Sequence, residues 1–382
     1  MTGIRDSNLV EHERTRDALA GGLWDIQAQA RFAQEAQTKK ELLQSLVFSD
    51  MLTRQDQIKN VNVRAYDFMF TNYTSASEDW NSPIDRDNNI TFTEWLSSEG
   101  DLFWIGGKAG AGKSTLMQCL FANPQALELY QVYCDAQGIL GHPLSVAFFF
   151  WNSETPMQRT MRGLLQSLLY QILSQDDRAC QRILQSQSMC APYLWQVSKL
   201  EELLRRVLDQ LSHPFLIFLD GLDKFADGEG ALLSIVDIFR RRSGVKICVS
   251  SRPHERFVNH FSREPQLQFH LLSPIVIRKS AVTQINDAIS LGAKHDDSDS
   301  EADYMPRSDR QDIAFQLAEN ADGIFLWAHL AMESIMSGIR CRDPVDVLIS
   351  RLEDVLPALD NIYKQKWVRF QTDLARYFVE AR

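Results

Sequence analysis

The 382-residue chain has few cysteines and histidines, and those it has fall in no metal-ligand pattern. Cys119, Cys134, Cys180, Cys190, Cys248 and Cys341 make no C-x-x-C pair, no spacing interleaved with histidine and no close framework. That excludes a zinc module and a disulfide scaffold, and fits reduced thiols in a cytoplasmic protein. Long hydrophobic runs are also missing. The longest, Val146 to Trp151 and Gly323 to Met332, fall well short of the roughly 18 apolar residues of a membrane span. Nor is there a basic excess: 40 Lys and Arg against 50 Asp and Glu give a net charge of −10. A nucleic acid or an anionic membrane held by bulk electrostatics is excluded on that balance, so any phosphate binding has to be local. The N-terminus mixes acids with its bases and reads as neither a secretory signal nor a transit peptide. No internal repeat and no Asn-Lys-x-Asp guanine-reading motif occurs.

What the chain does contain is a regular alternation. Apolar runs at Phe103–Ile105, Ser145–Trp151, Phe215–Asp220, Lys246–Ser251 and Gln266–Leu271 are predicted strands. SVAFFFW and FLIFLD are continuously apolar, as strands buried on both faces of a parallel sheet are. Between them, Leu164, Leu165, Leu168, Leu169, Ile172 and Leu173 recur at helical spacing, as do Leu200, Leu203, Leu204, Val207, Leu208 and Leu211. Strand and helix in alternation predict an α/β fold, a parallel sheet covered by helices. After it, Gly292–Ser308 (GAKHDDSDSEADYMPRS) is acidic with almost nothing apolar and is predicted to be a disordered insertion. Beyond Asp309 only helical patterns follow, at Ile313–Leu317, Ile324–Ile339, Val345–Leu352 and Tyr363–Val379, giving a small all-α part.

The chemistry concentrates in Asp101–Leu120, DLFWIGGKAGAGKSTLMQCL, where a strand runs into a glycine-rich turn and out through Lys113, Ser114 and Thr115. The spacing Gly107, four residues, Gly112-Lys113-Ser114 is that of a P-loop. Gly107, Gly110 and Gly112 are expected to take positive φ so that backbone N–H groups approach phosphate oxygens. The helix that follows turns its partial positive end to the same anion. Lys113 would reach the β- and γ-phosphates, the Ser114 hydroxyl would sit on Mg²⁺, and Thr115 would lie near the α-phosphate. Asp220, closing the apolar run FLIFLD, is the natural carboxylate on the Mg²⁺ side. Asp223, one turn on, is a candidate general base. Arg252, after Ser250-Ser251, is a candidate sensor of the γ-phosphate through its forked donors. The Arg240–Arg242 triplet reads as a helix C-terminus rather than a nucleic-acid contact.

In order along the chain, these segments resemble the NACHT-type P-loop NTPases of the STAND signalling class, in the fungal branch also classed as nephrocystin-like N-terminal domains. LLQSLVFSDMLTRQDQI resembles the family's opening segment, LFWIGGKAGAGKSTLM its P-loop, and SVAFFFWNSETPMQRTMRGLLQSLLYQIL its second strand and helix. FLIFLDGLDKF resembles its Walker B motif, VKICVSSRP its sensor strand, and ADGIFLWAHL the start of its helical domain. The resemblance divides the chain into an N-terminal helical segment (1–45), a NACHT-like P-loop domain (46–272), a linker with the acidic insertion (273–308) and a helical domain (309–382). The chain stops where the family's winged helix and repeats would follow. It implies that Lys113, Ser114 and Asp220 bind Mg-ATP or Mg-ADP, that Arg252 is the sensor arginine, and that Arg54, Ile58 and the loop at Gly323 and Phe325 lie near adenine.

By the same resemblance the protein is a cytoplasmic signal-transduction switch working by conformational change and self-association, alone or with related NACHT proteins. One departure stands out. Where the family carries an acid after the second Walker B aspartate, this chain has Lys224. A lysine there opposes water activation and has Asp223 as an expected partner, which predicts slow or absent hydrolysis with binding retained. The alternatives are a non-hydrolysing scaffold that regulates full-length relatives and, less in keeping with the motifs, a small-molecule P-loop kinase.

Overall fold

The computed structural model describes residues 33–58, 91–152, 156–185, 195–293 and 305–352, with residues 29, 31, 66, 69 and 70. The expected helices before residue 29 and at Tyr363–Val379 lie outside these residues, as does most of the acidic insertion.

Five strands form one parallel sheet: β1 (Leu102–Gly106), β2 (Leu144–Phe149), β3 (Phe215–Asp220), β4 (Val245–Ser251) and β5 (Gln266–Gln268), in the order β2-β3-β4-β1-β5. The continuous apolar runs have the expected consequence. Along β3, Phe215, Ile217 and Leu219 enter one core while Leu216 and Phe218 enter the other, so that both faces of the sheet are covered. Each fully buried Leu or Phe contributes roughly 1.5–3 kcal/mol relative to exposure, and these two cores hold the sheet. On the first face lie α5 (Met161–Gln175) and α7 (Val197–Gln210), with the leucines predicted for them buried except Leu211, a half-buried C-cap just past α7. On the second lie α3 (Lys113–Ala122) and α4 (Pro124–Ala136).

The short helix α2 (Phe92–Leu96) opens with a capping box. Glu94 N–H donates to Thr91 Oγ1 and Thr91 N–H to Glu94 Oε2. Its far end is fastened by a buried cation. Lys246, on β4, donates from Nζ to the carbonyls of Trp95, Ser98 and Gly100 at 2.8, 2.6 and 2.6 Å, and lies over the rings of Tyr133 and Trp95. Burial pushes its pKa down to about 8, against the pull of Asp101 and Cys134. Arg240, first of the predicted arginine triplet, ends the helix Glu229–Arg240 and forks onto Asp101 while also reaching Glu264.

The strand expected at Gln266–Leu271 lasts only three residues. From Phe269 the chain is helical to Ala293 (α10), across residues 273–293 that read as linker. A proline usually breaks a helix, and Pro274 is the sixth residue of this one, past the first turn, so its missing N–H costs one backbone bond. Tertiary packing outweighs that local signal. Phe269, Leu272 and Val276 belong to the sheet core, while Ile277, Ala281, Ile285 and Ile289 belong to a third core shared with α11 (Arg307–Ala321) and α12 (Phe325–Arg340). One helix thus ties the sheet to the C-terminal helices.

Candidate functional site

The turn Gly107–Gly112 joins the end of β1 to the start of α3, at the carboxyl edge of the sheet. Gly110 and Gly112 have φ of +77° and +86°, whereas Gly107 does not take the left-handed conformation expected of all three. Gly112 occupies the N-cap position with no side-chain cap, which leaves the first N–H groups of α3 facing the cradle. Lys113 folds back over it: Nζ donates to the carbonyls of Gly107 at 2.6 Å and Lys108 at 2.8 Å. Its pKa is pushed down to about 8, first by burial and then by Arg252 and Lys224, with Asp223 and Asp220 opposing.

The strand order decides what faces the loop. Because β4 lies between β1 and β3, its last residues stand between the P-loop and Asp220. Asp220 is 1 % exposed, and its Oδ1 accepts from Ser250 Oγ at 2.5 Å. Its Oδ2 is buried without a hydrogen-bond partner among the described residues. The Gly221 N–H donates to both the carbonyl and the hydroxyl of Ser250, each at 3.0 Å. Ser250 therefore orients the acid at the end of β3. Sequence reading passed over it; two hydroxyls closing an otherwise apolar strand were the available signal.

Asp223 and Arg252 come together, but with each other. Asp223 Oδ2 lies 3.1 Å from Arg252 Nε and its Oδ1 accepts from the Arg252 backbone N–H at 3.0 Å. Lys224 does not pair with Asp223 as expected. Its Nζ donates to the Phe150 carbonyl at 3.1 Å and lies 3.8 Å from Asp220 Oδ2. The reason is the turn. Gly221, at φ +74°, starts a single 3₁₀ turn over Leu222–Lys224 that carries the lysine back over the strand end, while Asp223 points to β4.

Arg54 and Ile58 sit one turn apart on α1 (Thr53–Ile58) but face different surroundings. Ile58 is buried in the cluster that holds Leu116 and Met117 of the P-loop helix. Arg54 lies on the Asp220 side, its guanidinium 5.6 Å from the centre of the Trp151 ring. Burial lowers its pKa and the Asp220 carboxylate partly restores it. Phe325, expected near adenine, packs on the loop itself. Its N–H donates to the Gly110 carbonyl at 2.8 Å, and its ring stacks with Phe269 and Tyr66, whose hydroxyl bonds Thr115. Lys108 and Asp322 add an exposed ion pair across the same contact, of small energetic weight.

Four cations, Arg54, Lys113, Lys224 and Arg252, thus surround two carboxylates, Asp220 and Asp223. That leaves a local positive excess in a chain of net charge −10. Backbone donors, a helix N-terminus and excess positive charge suit a polyanion, and the buried carboxylate oxygen suits a hard cation beside it.

Residues 87–252 match the nephrocystin 3 N-terminal domain. The match runs from just before α2 to Arg252 and so takes in the P-loop, Asp220, Asp223 and β4. No curated protein sequence matches the chain. Among solved structures, the chain is similar to C. elegans PCH-2, at 14% identity over 70% of this chain and 67% of that one, with a TM-score of 0.36. It is also similar to the Aeropyrum pernix ORC2 protein described in ADPNP-ADP complexes, at 12% identity over 80% and 68%, with a TM-score of 0.38. The Aeropyrum pernix ORC1 protein in complex with DNA matches at 16% identity over 70% and 80%, with a TM-score of 0.33. Among the described residues, no helix is long and apolar enough to cross a membrane.

Proposed function

We propose that this chain binds ATP and ADP at the Gly107–Thr115 cradle and works as a NACHT/STAND-type signal-transduction switch in the cytoplasm, hydrolysing slowly or not at all. The observation that carries the reading is the positive excess gathered under a P-loop at the carboxyl edge of a parallel sheet. In a protein this acidic, such an excess has little use other than holding phosphates. Lys113 would leave the carbonyls of Gly107 and Lys108 for the β- and γ-phosphates. Thr115, held by Tyr66, would border the α-phosphate. Ser114 and Asp220 are the residues that would hold Mg²⁺, Asp220 through a buried oxygen with no hydrogen bond that the Lys224 ammonium already approaches to 3.8 Å. A magnesium ion bound there would neutralise phosphate charge.

Asp223 is the only other carboxylate in the constellation, and Arg252 already holds both of its oxygens. A base engaged in that way activates water poorly, which supports slow turnover. Exchange of ADP for ATP can move the chain only through a contact that differs between the two states. Arg252, released from Asp223 toward a γ-phosphate, supplies one. Phe325, bonded to Gly110, would pass the change to the helices that follow, and self-association or pairing with related NACHT proteins would be the readout. The same Asp223–Arg252 lock favours, as a second reading, a non-hydrolysing scaffold that regulates full-length relatives.

Identification of the nucleotide that co-purifies with the chain, and titration of ADP and ATP onto the wild type and Lys113→Ala, test the proposal. Lys113→Ala should abolish retention, and unchanged affinity in that variant would sink it. Phosphate release then separates a slow switch from a scaffold.

A further inference from the structure

Lys224 occupies a place that its sequence position alone does not reveal. Its ammonium stands beside Asp220 Oδ2, a buried oxygen with no hydrogen bond and the one to which a divalent ion at this site would bind. The lysine is held there from several sides. The Phe150 carbonyl accepts from Nζ at 3.1 Å, and that residue is itself fixed by donating its N–H to the Asp220 carbonyl at 2.9 Å. The side chain lies across Gly221, where an added Cβ would come within 2.7 Å of Nζ. A side chain at that position would displace the flexible lysine end from where it lies. With 23 % of its side chain exposed, Lys224 is more shielded than a surface lysine screened by water.

We infer that Lys224 is a resident cation which replaces much of the divalent ion's electrostatic work, so that this chain binds nucleoside di- and triphosphates with little dependence on Mg²⁺. The inference rests on the proposed nucleotide reading. An ammonium carries three protons. One is engaged by Phe150, and Asp220 Oδ2 at 3.8 Å lies beyond hydrogen-bond reach, which leaves donors for a phosphate oxygen. The fixed positive charge also opposes entry of a doubly charged ion at the same carboxylate. Asp220 is then balanced without metal, and the phosphates meet Lys113 and Lys224 from two sides.

The test is equilibrium binding of a fluorescent ADP analogue and of ATP by competition, on the full chain, in excess EDTA and in excess Mg²⁺. The variants are Lys224→Ala, Lys224→Gln and Lys224→Arg. Wild type and Lys224→Arg should change affinity by no more than about threefold between the two conditions, whereas Lys224→Ala and Lys224→Gln should lose about tenfold or more on metal removal. Lys224→Gln keeps a donor for Phe150, so a folding defect in the alanine variant does not decide the result. Collapse of wild-type binding in EDTA overturns the inference and leaves the nucleotide reading intact. Equal insensitivity to metal in all four proteins overturns the role of Lys224. No binding by wild type in either condition overturns both readings.

Discussion

Replacing Ser250 with alanine isolates the bond that orients the buried acid. Two groups meet the Ser250 hydroxyl, Asp220 Oδ1 as acceptor at 2.5 Å and the Gly221 N–H as donor at 3.0 Å. The glycine N–H also has the Ser250 carbonyl at 3.0 Å and stays satisfied without the hydroxyl. The loss therefore falls on Asp220, whose second oxygen already lacks a hydrogen bond. Both residues are essentially inaccessible to water, at 0 % and 1 % exposure, so solvent cannot step in without opening the sheet edge. A hydrogen bond to a charged group contributes about 1.5–3 kcal/mol, and Ser→Ala leaves almost no cavity to add to that. For a unit of this size each kcal/mol moves the melting temperature by about 2–4 °C, so Ser250→Ala should melt roughly 3–12 °C below wild type. Calorimetry on wild type, Ser250→Ala, Asp220→Asn and the double variant measures the coupling directly. The two changes should be non-additive by more than about 0.5 kcal/mol, the usual scatter for independent sites. Additive effects, or an unchanged melting temperature in Ser250→Ala, would refute the claim that this hydroxyl holds the acid.

Two further outcomes follow from the same structure. Gly112→Ala meets two obstacles, a left-handed backbone (φ +86°) and the Phe325 ring 2.8 Å from the new Cβ. Chemical denaturation should show a loss of at least about 1–2 kcal/mol from the backbone alone, and Phe325→Ala should recover only the part due to the ring. A neutral Gly112→Ala would show that the loop reshapes freely. Lys246 has its pKa depressed by burial from 10.5 to about 8, so between those values the unfolded chain binds more protons than the folded one. Its contribution to stability therefore rises with pH across that window. Unfolding free energies of wild type relative to Lys246→Met should diverge in favour of wild type from pH 8 upward. A flat or falling difference would mean that the three carbonyl bonds hold the ammonium more strongly than burial opposes it.

The P-loop, the all-parallel sheet and most helices were legible in the chain because each rests on a local pattern. Glycine spacing announces the cradle, and continuous runs such as FLIFLD announce strands covered on both faces. Helical leucine spacing announces the covering layer. The misreadings have a common cause. Residues 273–293 were read as linker, but Phe269, Leu272 and Val276 pack into the sheet core and Ile277 to Ile289 into the next, and that burial carries the helix across Pro274. Lys224 was expected beside Asp223, its neighbour in sequence, and lies by Asp220 instead.

What the sequence by itself determined was the inventory: a P-loop, Asp220 and Asp223 closing an apolar run, Lys224 directly after them, and Arg252 after another apolar run. Only the tertiary structure decided the pairing. With β4 placed between β1 and β3, Ser250 is brought to Asp220 and Arg252 to Asp223, while the turn at Gly221 carries Lys224 onto the free oxygen of Asp220. These partnerships depend on strand order and on the hand of one glycine turn. Neither leaves a periodic trace in the chain, because both are settled by contacts between residues distant in sequence.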